Sequence, residues 1–407
     1  ALESGLVYAG TQPLIMVGQG TELSLSVDET VFTASQGADL SISGMTFAGP
    51  GGFSIEARGD ADGTAGKGIF VDVRDDQEGT VNLVLSDVTV RGVANHGIHV
   101  SDCSLADDCG GGSGGDGEGS EASISLVLDG VAVIDAGNGK FDADGVRVDE
   151  RGSGDIRFVS FDSTFEGVGA DGVELDEGQE GSVYVESQGD LYTNNGLYCD
   201  PALLESFLPD PDEGEFDEGA MAEDAVPPAV EGSPDDSCIE REVDLYDDGS
   251  VEEFAFGLDL DDGFDVDEAG PGSIVAKLDS TDITNNFDEG LDYDEEDAGG
   301  ISLVLLSFSA TGNTDDGVKM SEEGAGSVEA LVLGGQAEAN GGVGYVFEEA
   351  DGGDVDVIME EVSSAGNDDG ELGLEVVQED EGAGRATLVD TSIEDGIEVE
   401  GVDLNEM

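Results

Sequence analysis

Carboxylates recur along this chain at intervals that would stack them. Glu268, Glu295, Glu322 and Glu349 stand 27 residues apart, Asp267, Asp294 and Glu348 fill most of the adjacent file, and Asp144, Asp149 and Glu150 return as Asp171, Asp176 and Glu177. If each interval is one turn of a coiled chain, like charges lie about 4.8 Å apart and repel by roughly 0.9 kcal/mol per pair in bulk water. At an effective dielectric near 20 the repulsion is several times larger. Oxygen-only donors at that spacing suit Ca²⁺, so these acids are read as metal ligands and Ca²⁺ as the expected cofactor. The alternative is a solvated acidic surface screened by mobile salt.

The elements that must position these groups are read from the same interval. Asn286, Asn313, Asn340 and Asn367 keep the 27-residue step, as do Gly263, Gly290, Gly317 and Gly344. After each of those glycines comes apolar, variable, apolar: Phe264 and Val266, Leu291 and Tyr293, Val318 and Met320, Tyr345 and Phe347. This is the period-2 signature of a strand with one buried face. Eleven residues beyond each glycine a second strand begins, with Ile274, Ile301, Val328 and Val355 as one file and Leu278, Leu305, Val332 and Met359 as another. Equal steps that superpose like residues predict a β-solenoid of about twelve turns, a single domain over residues 1–407.

A turn of about 27 residues with two clear strands and a shorter third resembles the right-handed parallel β-helix, the pectate-lyase-like superfamily. The resemblance implies an all-β fold with an internal asparagine ladder, which the four Asn positions match, because stacked amides hydrogen-bond one another along the axis. It leaves activity open, since the superfamily includes lyases, hydrolases, adhesins and tail spikes. Asn313-Thr314-Asp315-Asp316-Gly317 looks like the Asn-Thr-Asp motif of polygalacturonase-type enzymes, but neither the Gly-His-Gly nor the Arg-Ile-Lys of those enzymes follows. The two histidines, His96 and His99, lie far upstream. Arg147, Arg151 and Arg157 form the one basic cluster, Lys277 and Lys319 sit alone, and all five are expected to pair with neighbouring carboxylates. No residue is assigned a catalytic role, and the chain is read as a non-enzyme.

Composition narrows the partners. With 12 Lys and Arg against 97 Asp and Glu, the net charge is -85, which excludes nucleic acid and anionic lipid as partners. No apolar run reaches the length of a membrane span. Cys103 with Cys109 and Cys199 with Cys238 would each close a loop that interrupts the repeat, so two disulfides and an exported, extracellular or cell-surface protein are expected, its signal peptide removed. One Gly- and acid-rich insertion spans 102–121, and a second, holding six of the nine prolines, spans 200–250. Proline cannot donate to a ladder, so the second must leave the coil.

Residues 1–20 read as an apolar segment suited to act as a docking strand. Uncapped ends would let copies stack head to tail into a filament. The expected function is thus a cation-stabilised structural or surface element. A carbohydrate-binding or polysaccharide-degrading enzyme, or an adhesin with glycan or cell-surface contacts, is the alternative.

Overall fold

The computed structural model describes the chain outside residues 54–65, 75, 104–118, 141, 200–215, 217–218, 223–224, 227–240, 247–248, 257–259 and 380–381. Residues Ala1–Tyr198 and Asp262–Met407 form one compact unit, and Cys199–Asp261 another. The first is a parallel β-helix. Its sheet 1 has 12 strands, one for each turn, running from Leu6–Tyr8 through Ile98–Ser101, Val146–Glu150, Val173–Glu177, Phe264–Glu268, Leu291–Asp297 and Val318–Gly324 to Gly396–Glu400. The expected twelve turns are therefore present. Sheet 2 has 18 strands and carries the other two sides of each turn, which fuse into one bent strand in Ile301–Thr311, Val328–Glu338 and Val355–Ala365.

Pairing is parallel and stacks the files predicted from the 27-residue step. Ile274 lies over Ile301, Ile301 over Val328 and Val328 over Val355. Alternate residues face inward, so Ile301, Leu303 and Leu305 are buried while Ser302 and Val304 are half-buried. Each fully buried aliphatic side chain contributes about 1.5–3 kcal/mol, and the resulting core runs without interruption from Leu25 to Leu388. Aromatic side chains stack within it, with ring centroids of Phe165 and Tyr192 4.8 Å apart and those of Tyr192 and Phe264 5.3 Å apart.

The long insertion interrupts the sequence and leaves the ladder whole. Val173–Glu177 pairs residue for residue with Phe264–Glu268, so the turns on either side of the insertion are direct neighbours. The inserted unit extends past the expected 200–250, to Asp261, and contains an antiparallel pair, Arg241–Leu245 with Val251–Phe256. Most of the 102–121 insertion lies outside the described residues. So do Cys109 and Cys238 and the side chain of Cys199, and with them both expected disulfide pairings; Cys103 is not a free thiol.

The N-terminal segment is paired within the coil. Leu6–Tyr8 pairs with Phe32–Ala34, and Leu14–Ser24 with Leu40–Ala48, so residues 1–20 make the first turn of the helix itself. Leu14 and Met16 pack on the core, while Ile15 and Val17 on the other face are about three-quarters exposed. Among the described residues no helix is long and apolar enough to cross a membrane.

The asparagine ladder forms as predicted and is longer. Each Nδ2 donates to the next Oδ1, from Asn195 to Asn286 (3.0 Å), Asn313 (3.0 Å), Asn340 (3.1 Å) and Asn367 (2.9 Å), ending on Asp395. Each Oδ1 also accepts a backbone N–H from the turn before, as from Asn286 to Asn313 at 3.1 Å. The bend ahead of the ladder is left-handed in successive turns, at Asn285 (φ 57°), Gly312 (φ 69°) and Ala339 (φ 57°). Replacing Asn313 by Ala would strand two buried donors of Asn286, and about 2–4 kcal/mol of stability should be lost. Urea unfolding checks this; a loss under about 0.5 kcal/mol would contradict a structural role for the ladder.

Candidate functional site

Ionisable side chains gather on the outer face of sheet 1. In the strand Val146–Glu150, Val146, Val148 and Glu150 face the core, which turns Arg147 and Asp149 outward. The same register places His99 beside Arg147 on one side and Glu174 on the other, with Asp149 over Asp176, Asp176 over Asp267 and Asp267 over Asp294. The two acidic blocks that the insertion separates in sequence are thus one continuous file.

Arg147 is the hub. Its guanidinium meets Asp149 at 2.7 Å, Asp142 and Asp176 at 3.3 Å and Asp144 at 3.6 Å, and it also pairs with Glu174. Arg151 pairs with Asp176, while its Nε and Nη1 are buried with no acceptor. His99 Nε2 lies 2.6 Å from Asp149 Oδ2, and His99 Nδ1 lies 2.5 Å from Lys67 Nζ. Lysine can only donate, so Nδ1 accepts and Nε2 carries the proton toward Asp149. His96 packs on His99 with ring centroids 4.6 Å apart, and its Nδ1 accepts the Asp144 backbone N–H at 3.0 Å. Its proton therefore sits on Nε2, which has no partner among the described residues.

Burial and the local cations keep both imidazoles neutral. Burial, then the Lys67 and Arg147 charges, push His96 well below 6.5, and burial and Lys67 push His99 down to about 3. Burial also works against ionising Asp149, but Arg147 and His99 outweigh it and hold that carboxyl well below the usual range. Asp176 goes the other way: its burial prevails over Arg151 and Arg147 and raises it to about 7. Burial likewise raises Asp144, Asp171 and Glu174. Ionised and protonated carboxyls, neutral imidazoles and guanidinium groups are therefore in contact at neutral pH.

A second acidic region lies farther along the same face. Lys319 Nζ bonds Asp292 at 2.7 Å and reaches Glu289 at 3.7 Å, and burial raises Asp294 to about 7 despite Lys319. Oxygens of Asp262, Glu289 and Asp292 approach one another within 4.8 Å, as do those of Asp142, Asp144 and Glu174 and of Glu174, Asp176 and Asp267. Asp262, Glu289 and Asp292 were not singled out from sequence, although Asp144, Asp171, Asp262, Glu289 and Asp316 all precede the repeat glycine. Several accept a backbone N–H of the next turn, as Asp262 Oδ1 does from Glu289 at 2.8 Å.

The remaining sequence candidates separate. Asn313 belongs to the ladder, and Asp315 and Asp316 sit on turns five sheet-1 strands from the histidines, so the polygalacturonase-like motif does not meet them. Arg157 points outward from sheet 2, away from Arg147 and Arg151. Glu348 is half-buried on the outer face. Every member of the file Glu150, Glu177, Glu268, Glu295, Glu322 and Glu349, read from sequence as metal ligands, is fully buried on the inner side of sheet 1, which rules out the alternative of a solvated surface for these six.

No family model and no curated protein matches the chain. Among solved structures, the periplasmic alginate epimerase AlgG is matched over 100% of this chain and 79% of that one, at 11% identity and a TM-score of 0.33. That protein is by its name an enzyme, which stands against the expectation of a non-enzyme. The likeness is one of fold, and the reactive groups of this chain rest on the geometry above.

Replacing Arg147 by Met would leave Asp149 and Glu174 buried without their cation, and about 3–5 kcal/mol of stability should be lost at pH 7. Asp149 has a folded pKa below its unfolded value, so its pairing stabilises the native chain above about pH 4 and that contribution fades as pH falls. The gap between wild type and variant should accordingly narrow in urea titrations as the pH is taken below 4 toward 2. A pH-independent gap would contradict the charge pairing.

Proposed function

We propose that the chain binds a polysaccharide along the outer face of sheet 1 and modifies it by proton transfer at the His96, His99, Arg147 and Asp149 cluster. One observation carries this reading: both histidines of a chain with net charge -85 lie in the field of Lys67 on three adjacent turns, with Arg147 paired to His99 in the strand register and Arg151 on the same turn as Arg147. Scattered pairing would have spread so few cations along the rod. Rigid strands on which parallel turns present side chains at fixed spacing suit a long, regular ligand.

Each group has a chemical part to play. His96, neutral with its proton on an unpartnered Nε2, is a hydrogen-bond donor to a sugar or leaving oxygen. His99 holds its proton between Lys67 and Asp149, which fixes its tautomer. Asp176, raised to about 7, exchanges a proton near neutral pH and is the acid or base of the set. Buried Nε and Nη1 of Arg151 supply donors for a substrate carboxylate or hydroxyl. Calcium at the outer carboxylate groups is part of the same reading, because oxygens within 4.8 Å of one another are spaced for hard cations.

The test is incubation of the full chain with uronate-containing and neutral polysaccharides, followed by chain-length analysis and NMR of the sugar protons in deuterated water. Solvent deuterium entering the sugar, or cleavage, is expected for the wild type. His96→Asn keeps an acceptor at the Nδ1 position for the Asp144 N–H, removes the Nε2 donor, and should lower the rate about 100-fold with an unchanged circular dichroism spectrum. No reaction with any glycan, or a fully active His96→Asn, would overturn the proposal.

A further inference from the structure

The interior glutamate file asks for a ligand that the outer face does not. Glu150, Glu177, Glu268, Glu295, Glu322 and Glu349 succeed one another turn by turn, all at 0% exposure, and no ion pair reaches them among the described residues. Turn N–H groups satisfy some of their oxygens, as Gly270 and Gly272 do for Glu268 Oε1 at 3.2 Å. Among the described residues, both oxygens of Glu295 and of Glu322, and Oε2 of Glu150 and Glu268, are buried without a well-formed hydrogen bond, although the Gly326 N–H approaches Glu322. Neighbouring carboxyls in the column lie within hydrogen-bond reach of one another, but such a contact needs a proton on one of the pair, and an ionised pair has no donor between its members.

The column's ends show what its middle lacks. In the turn after Glu349 the position is Gln378, whose amide Nε2 donates to Glu349 Oε2. At the other end, Asp102 beside Glu150 accepts the backbone N–H of Ser120 at 2.6 Å and of Arg151 at 2.8 Å. Well-formed donor contacts are present at both ends, while Glu295 and Glu322 have none among the described residues.

We propose that this column is a divalent-cation site of the calcium class, each ion held between the carboxylates of successive turns. A Ca²⁺–oxygen distance of about 2.3–2.6 Å, doubled, spans the strand spacing of about 4.8 Å, whereas the Mg²⁺ distance of about 2.0–2.1 Å falls short. Glycine carbonyls add oxygen to the surroundings: beside Gly299 lie both Glu295 Oε1 and Gly272 O, and beside Gly326 both Glu322 Oε1 and Gly299 O. Outside these turns runs a shallow groove of about 480 Å³, lined by Gly299, Gly326 and Gly353 with Ser273, Ser327 and Asp354. The sites are separate from the polysaccharide face, so they can fail or hold independently of the function proposed above.

The experiment uses the full chain, stripped with chelator and titrated with Tb³⁺ as the calcium probe in high potassium chloride, which weakens binding to outer carboxylates. Luminescence lifetimes in H₂O and D₂O count the waters on each bound ion. A class of ions with fewer than one water, displaced by Ca²⁺, is expected, and in Glu295→Gln/Glu322→Gln its affinity should fall at least tenfold. Only hydrated ions in the wild type would overturn the proposal and leave the column to shared protons, a reading the wild-type lifetimes settle even if the double variant does not fold. An unchanged dry class in a folded double variant would overturn it as well.

Discussion

Parallel strands paired in register at one fixed spacing place like over like, and everything else in this molecule answers to that. For apolar residues the constraint is favourable at once, because a file of Ile, Val and Leu is a continuous core. Amides also satisfy it, since each asparagine is both donor and acceptor to its copy in the next turn. Carboxylates do not, for a stack of acceptors has no donor and repels itself. A chain with 97 acidic residues in such a fold must therefore find a counter-charge for each file that leaves bulk water.

Different files find different answers. The acids that precede the repeat glycine turn an oxygen to the backbone N–H of the next turn, as Asp262 does for Glu289. On the outer face, Arg147 serves five carboxylates and Lys319 two, and acids beyond their reach are raised by burial. The interior glutamates have turn N–H groups at some positions and, among the described residues, no well-formed hydrogen bond at Glu295 and Glu322. Chemistry is concentrated where the answers meet, around Arg147 and the histidines. There a carboxyl held low, another raised to about 7 and two neutral imidazoles share one surface.

Much of the fold was legible because its period is strict. The 27-residue step named the strands, the stacked files and four members of the asparagine ladder before any coordinates. Asn195 escaped because 91 residues separate it from Asn286, and sequence distance across an insertion says nothing about which turns become neighbours. The same break hid the continuity of Glu177 with Glu268. Burial of the glutamates was legible, since Phe264, Val266 and Glu268 share parity and alternation points Glu268 inward. His99 could likewise have been placed beside Arg147, since each stands two residues after its repeat glycine, but the 48-residue step between Gly97 and Gly145 obscured the match.

The central claim is that stacking forces the buried carboxyls to give up free negative charge. The most direct measurement is the proton balance of folding, taken by pH-stat as the chelated chain refolds from urea at pH 7 without divalent ions. Glu150, Glu268 and Glu295, raised by burial and by neighbouring carboxyls to about 11, 10 and 8, are ionised when unfolded and should take protons as they are enclosed. Uptake of several protons per chain is the expected result. No uptake, or release, would mean that the stacked acids keep their charge inside the fold.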